Sequence, residues 1–73
     1  MNVRESIGER IASARGFRRM TQPQLAETLG VSSQTISNWE TGHRVPVASS
    51  IVELCTVLGC SADYILGLTD DFH

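Results

Sequence analysis

Lysine is absent from this chain, and its six arginines are outnumbered by eight acids, for a net charge of −2. That balance argues against a partner held by bulk electrostatics alone. The distribution is less uniform than the sum. Arg15, Arg18, Arg19 and Arg44 have no acid immediately beside them, whereas Asp63, Asp70 and Asp71 lie near the C-terminal end, so a charge-separated surface is expected. No apolar run approaches the roughly 18 to 20 residues needed to span a bilayer. The opening "MNVRESIGERIA" lacks the apolar core of a secretory signal, which points to a cytoplasmic protein with no membrane partner. The two cysteines, Cys55 and Cys60, fit neither zinc nor thioredoxin-like spacing and read as reduced, buried thiols. His43 and His73 are isolated from each other and from the cysteines, so no metal is expected. Repeats, low-complexity tracts and Pro-rich linkers are missing, and 73 residues leave room for one small domain, residues 1–73, with a modest core.

What the chain does contain is a series of helix punctuation marks. Val3, Ile7, Ile11 and Ala14 form one helical stripe, predicting a helix over about 3–18. In "MTQPQL", Thr21 is a natural N-cap, Gln24 completes a capping box, and Met20 with Leu25 take hydrophobic-staple positions. Pro23 falls in the first turn, where a missing N–H is harmless. This second helix stops at Gly30. Ser32 caps a third, with Val31 and Ile36 as its staple, ending near Thr41 before Gly42. A fourth is expected over about 48–58, stopped by Gly59, and Ser61 caps a short fifth, with Asp63 favourably placed against its dipole. No segment alternates convincingly with period two, so the fold class is all-α.

Two short helices joined by a tight glycine turn form a helix-turn-helix, over about 22–41. The outward side of its second helix, in "GVSSQTISNWETGHR", carries Ser33, Gln34, Ser37 and Asn38 with almost no charge. "TQPQLAETLGVSSQTISNWETGHRVP" resembles the helix-turn-helix of the lambda-repressor and Cro superfamily, the XRE-type DNA-binding domain. The likeness extends through "IGERIASAR", "IVELCTVLGCS" and "DYILGL", in family order. Ala26 is small where the two helices cross, Gly30 makes the turn, and Leu25, Leu29, Val31, Ile36 and Trp39 are apolar where the motif packs on itself.

The resemblance implies a five-helix lambda-repressor-like domain that lays its third helix in the major groove of double-stranded DNA. It matches Ser33, Gln34 and Asn38 to base-contacting positions, flanked by Thr35 and Ser37. Gln34 and Asn38 each offer the donor and acceptor that adenine N6 and N7 require. No Arg lies between Val31 and Gly42, which removes the bidentate guanine contact and favours A·T-rich contacted bases. Gln22 matches a backbone-contacting position, where it would approach a phosphate together with the amides that begin the second helix. His43 and Arg44 are candidates for nearby phosphates or the minor groove, with Arg18 and Arg19 as further cations. Glu40 and Arg15 match a structural ion pair. Arg19 stands where the family usually has glycine, so either it adopts a left-handed conformation or the first helix ends early, near Gly16. Val47 replaces a polar cap, predicting a weak start to the fourth helix. Tyr64, Ile65, Leu66 and Leu68 divide between core and a self-association surface.

Nothing resembles a nucleophile elbow or a phosphate-binding glycine loop, so neither catalysis nor a cofactor is expected. The expected function is a sequence-specific transcriptional regulator, a repressor that binds a two-fold-related operator as a homodimer. The rival from another class is a helix-turn-helix module that binds a protein partner, supported by the net negative charge.

Overall fold

A computed structural model describes residues 2–72, so His73 lies outside the described residues. The elements are α1 (Val3–Phe17), α2 (Gln22–Leu29), α3 (Ser33–Thr41), α4 (Ala48–Leu58) and α5 (Ala62–Ile65). Among the described residues all regular structure is helical, and no helix is long and apolar enough to cross a membrane.

Each helix starts with a residue in extended backbone, and four of the five have a side-chain cap. The capping box of α2 is complete: Thr21 Oγ1 accepts from the Gln24 amide at 3.2 Å, and the Thr21 amide donates to Gln24 Oε1 at 2.8 Å. Ser32 and Ser61 cap α3 and α5 through the amides of Thr35 and Tyr64. Asn2 caps α1 through the Arg4 and Glu5 amides, a start signal that the apolar periodicity does not reveal. Val47 offers α4 no side-chain bond, which leaves its first-turn donors to other partners or solvent.

Helix 1 runs to Phe17, past Gly16, and Arg19 adopts φ 57°. The amides of Arg19 and Met20 donate to the carbonyls of Gly16 and Arg15 at 3.0 and 3.1 Å. This is the bonding of a Schellman motif, normally closed by glycine. Gly30 closes α2 in the same way, through bonds from Gly30 and Val31 to Glu27 and Ala26.

Ile11, Leu25, Ile36, Leu54, Leu58 and Ile65 are fully buried, so every helix contributes to one core. Trp39 is buried among them, a packing residue. Helix α3 packs on α1 and α2, while α4 and α5 cover the remainder. The α1–α3 contact is exceptionally close at Gly8, where a Cβ would fall well inside contact distance of the Trp39 and Glu40 carbonyls.

The C-terminal segment folds back over α1 and α5. Phe72 packs on Phe17 and Tyr64, with ring centroids 4.9 and 5.2 Å apart, and its carbonyl accepts from the Ser61 amide. Arg10 joins this segment to α1 through the Thr69 carbonyl and the Asp70 carboxylate. Tyr64 and Ile65 are buried, whereas Leu66 and Leu68 are exposed. Both cysteines are free thiols, Cys60 buried and Cys55 half-buried. Burial pushes the Cys60 thiol up to about 11, which keeps it protonated and unreactive at neutral pH.

Two glycine-related substitutions should act in opposite directions. Arg19→Gly removes the left-handed penalty, less the added freedom of the unfolded chain, and should stabilise by about 1 kcal/mol, or ~4–8 °C in Tm. Gly8→Ala should destabilise by about 1–3 kcal/mol, because α1 must move off backbone atoms that cannot rotate away. Thermal unfolding followed by circular dichroism reads both.

Candidate nucleic-acid interface

Glu40 links the helix-turn-helix to the first helix. Arg15 donates from Nε to Glu40 Oε2 at 2.7 Å and from Nη2 to Oε1 at 3.1 Å, a bidentate pair. Its third bond, from Nη1, reaches the Met20 carbonyl at 2.8 Å. Gln22 Nε2 donates to Glu40 Oε1 at 2.9 Å. The Glu40 side chain is only 7% exposed, so these donors replace the water it has lost. The Glu40 hydrogen bond raises the Arg15 pKa. What Arg15 contributes through this shift is therefore lost only as pH rises above the ordinary guanidinium range.

This arrangement orients Gln22 at the start of α2. An amide nitrogen has two hydrogens, and Glu40 takes one. The second, with the Gln22 backbone N–H, remains for an anion. The expected contribution of the other α2 amides is reduced: Pro23 has no N–H, and Thr21 accepts from Gln24 and Leu25.

On α3, burying Ile36 and Trp39 turns the opposite side outward. Ser33 and Gln34 are exposed, and Ser37 and Asn38 half-buried. Helical spacing adds Thr41 to this face, a residue the sequence reading left out. Thr35 stands at the boundary of the two faces, its Oγ1 2.9 Å from Ser32 Oγ, as part of the cap. Gln34 Nε2 donates to Asn38 Oδ1 at 2.9 Å. None of these five face residues is ionisable, so the surface is a field of amide and hydroxyl groups.

Two basic residues follow this helix directly. His43 and Arg44 are exposed in the loop after α3. That loop is fixed at its root, because the Arg44 amide donates to the Asn38 carbonyl at 3.0 Å. Arg18 is placed differently from expectation. Its Nε donates to the Leu58 carbonyl at 2.6 Å, and its guanidinium carbon lies 5.2 and 5.6 Å from the Phe17 and Phe72 ring centroids. It therefore closes the C-terminal end of α4, where a cation meets unsatisfied carbonyls and the negative end of the dipole. A phosphate contact by Arg18 would compete with these bonds for the same guanidinium. Among the described residues no group of three or more His, Cys, Asp or Glu is gathered for a metal.

A scaffold that turns α3 outward beside a fixed polar N-terminus of α2 defines a helix-turn-helix protein. Residues 11–65 match the family model described as Helix-turn-helix, and the chain belongs to this family, the XRE-type domains of the lambda-repressor and Cro superfamily. It is 39% identical over 61 residues to the HTH-type transcriptional regulator DicA of Escherichia coli, covering 84% of this chain and 45% of DicA. It is 37% identical over 60 residues to Repressor protein C2 of Salmonella phage P22, covering 82% of this chain and 28% of C2. Among solved structures, the clp gene regulator ClgR from C. glutamicum superposes with a TM-score of 0.80 at 30% identity, covering 88% of this chain and 83% of that one. The chain spans about half the length of the curated relatives it matches.

Removing Arg15 leaves a nearly buried carboxylate with Gln22 as its remaining side-chain donor. Arg15→Ala should cost about 2–4 kcal/mol, toward the lower end of a buried pair because Arg15 keeps some solvent contact. Glu40→Ala in the Arg15→Ala background should cost much less than Glu40→Ala alone. Urea unfolding of the four proteins provides that cycle.

Proposed function

We propose that this protein is a sequence-specific, DNA-binding transcriptional repressor that acts in the cytoplasm and binds a two-fold-related operator as a homodimer. The observation that carries the reading is the outward face of α3, five uncharged hydrogen-bonding residues held in place through the Glu40 bonds. Base edges in the major groove are read by such groups, and the groove accepts one α-helix. In this reading Ser33, Gln34, Ser37, Asn38 and Thr41 face the bases, with Thr35 at the edge. Gln22, His43 and Arg44 approach the flanking phosphates.

Dimerisation follows from size. One nine-residue helix covers few base pairs, and two half-sites about one helical turn apart multiply the discrimination. Repression follows from occupying promoter DNA. Two relatives, a phage repressor and a transcriptional regulator, support the same reading. The missing arginine on α3 favours contacted A·T pairs and thymine methyl groups.

Fluorescence anisotropy against DNA from upstream of the gene, with a scrambled duplex as control, tests this. Binding should be confined to the former at low and physiological salt. With one arginine per protomer assigned to phosphate, log Kd should rise by only about 2 units per tenfold rise in salt for a dimer. Equal, weak binding to both duplexes would favour a protein partner instead.

A further inference from the structure

We infer that Gln34 and Asn38 read DNA as one hydrogen-bonded unit, in which Gln34 selects adenine and Asn38 is the positioning residue that orients the Gln34 amide. The inference rests on the reading of α3 as the helix that faces DNA. Residues four apart lie one above the other on a helix, and Gln34 Nε2 donates to Asn38 Oδ1 at 2.9 Å. The bond takes one of two hydrogens from Gln34 and one of two lone pairs from Asn38. Gln34 retains an N–H and its whole carbonyl, the pair that matches adenine N7 and N6. Asn38 retains its Nδ2 hydrogens as free donors, while its carbonyl is turned to Gln34. A donor alone can meet an acceptor on guanine, thymine or adenine, and so distinguishes poorly among them.

The two residues are not equivalent in mobility. Asn38 is half-buried, and its backbone carbonyl accepts from the Arg44 amide and the Thr41 hydroxyl. Gln34 is exposed, with one more rotatable bond. The shorter, half-buried side chain, carried on a backbone that is itself tied down, therefore restricts the longer one and, by supplying an acceptor, decides which end of the Gln34 amide is turned inward. Residue type alone would give each amide its own adenine; the bridge assigns them unequal parts.

The test measures binding of the full chain to operator duplexes varied one base pair at a time, for wild type, Gln34→Ala, Asn38→Ala, the double variant and Asn38→Asp. Both positions lie off the core, and thermal unfolding checks each variant. Gln34→Ala should reduce discrimination at one adenine by tenfold or more. Asn38→Ala should weaken discrimination at that same adenine, and the double variant should be no flatter there than Gln34→Ala. Asn38→Asp keeps an acceptor for Gln34 Nε2 and adds a negative charge, so it should weaken binding to all duplexes alike while restoring the adenine preference. Single variants that act at different base pairs and multiply in the double, or an aspartate that restores nothing, would overturn the inference while wild-type specificity stands. A wild type indifferent to every base pair would overturn the inference together with the DNA reading beneath it.

Discussion

The Glu40 carboxylate is the point on which the arrangement of the first three helices depends. It belongs to α3, its bidentate partner Arg15 to α1, and its second donor, Gln22, to α2. Arg15 also binds the Met20 carbonyl in the connection between α1 and α2. A charge this well covered is stabilising only while all its partners stay in register. Apolar packing would accept a small rotation of α3, but a bidentate bond would not. The aliphatic core supplies cohesion, and this carboxylate supplies orientation.

Orientation matters here because the outward face of α3 has no charge of its own. An arginine-rich helix tolerates misplacement, since long cations find phosphates over a wide range. Short amides and hydroxyls do not, because they act at hydrogen-bond distance with directional geometry. The same design extends to the flanks, where Gln22 is held by Glu40 and the loop carrying Arg44 is tied to the Asn38 carbonyl. Two other cations serve the fold: Arg18 closes α4, and Arg10 fastens the C-terminal segment.

The helices were legible because their ends are marked in short-range chemistry. Thr21 with Gln24, Ser32, Gly30 and Gly59 each act within a few residues, and the boundaries fall where those residues put them. Two positions read as irregular, Arg19 and Val47, are irregular in the structure for the reasons anticipated. What escaped the sequence were relations between distant segments. Nothing local to Arg18 announces the α4 carbonyls some forty residues away. Nothing local to Phe72 announces its packing on the Phe17 and Tyr64 rings. On the candidate face the residue types were readable from helical spacing, but the Gln34–Asn38 bond and the diversion of Thr35 into the cap depend on side-chain rotamers that spacing does not fix.

At Gly8, α1 meets the last carbonyls of α3 backbone to backbone. The distance between these helices is thus set by main-chain atoms common to every residue type, and the side chains of the core fill space around a separation they do not determine. Drift among Ile, Leu and Val in the core can then proceed without raising or lowering the outward helix. The residues that face outward are free to diversify by a separate route. A lineage built on this scaffold can change its target without relearning how to fold, so long as position 8 has no side chain.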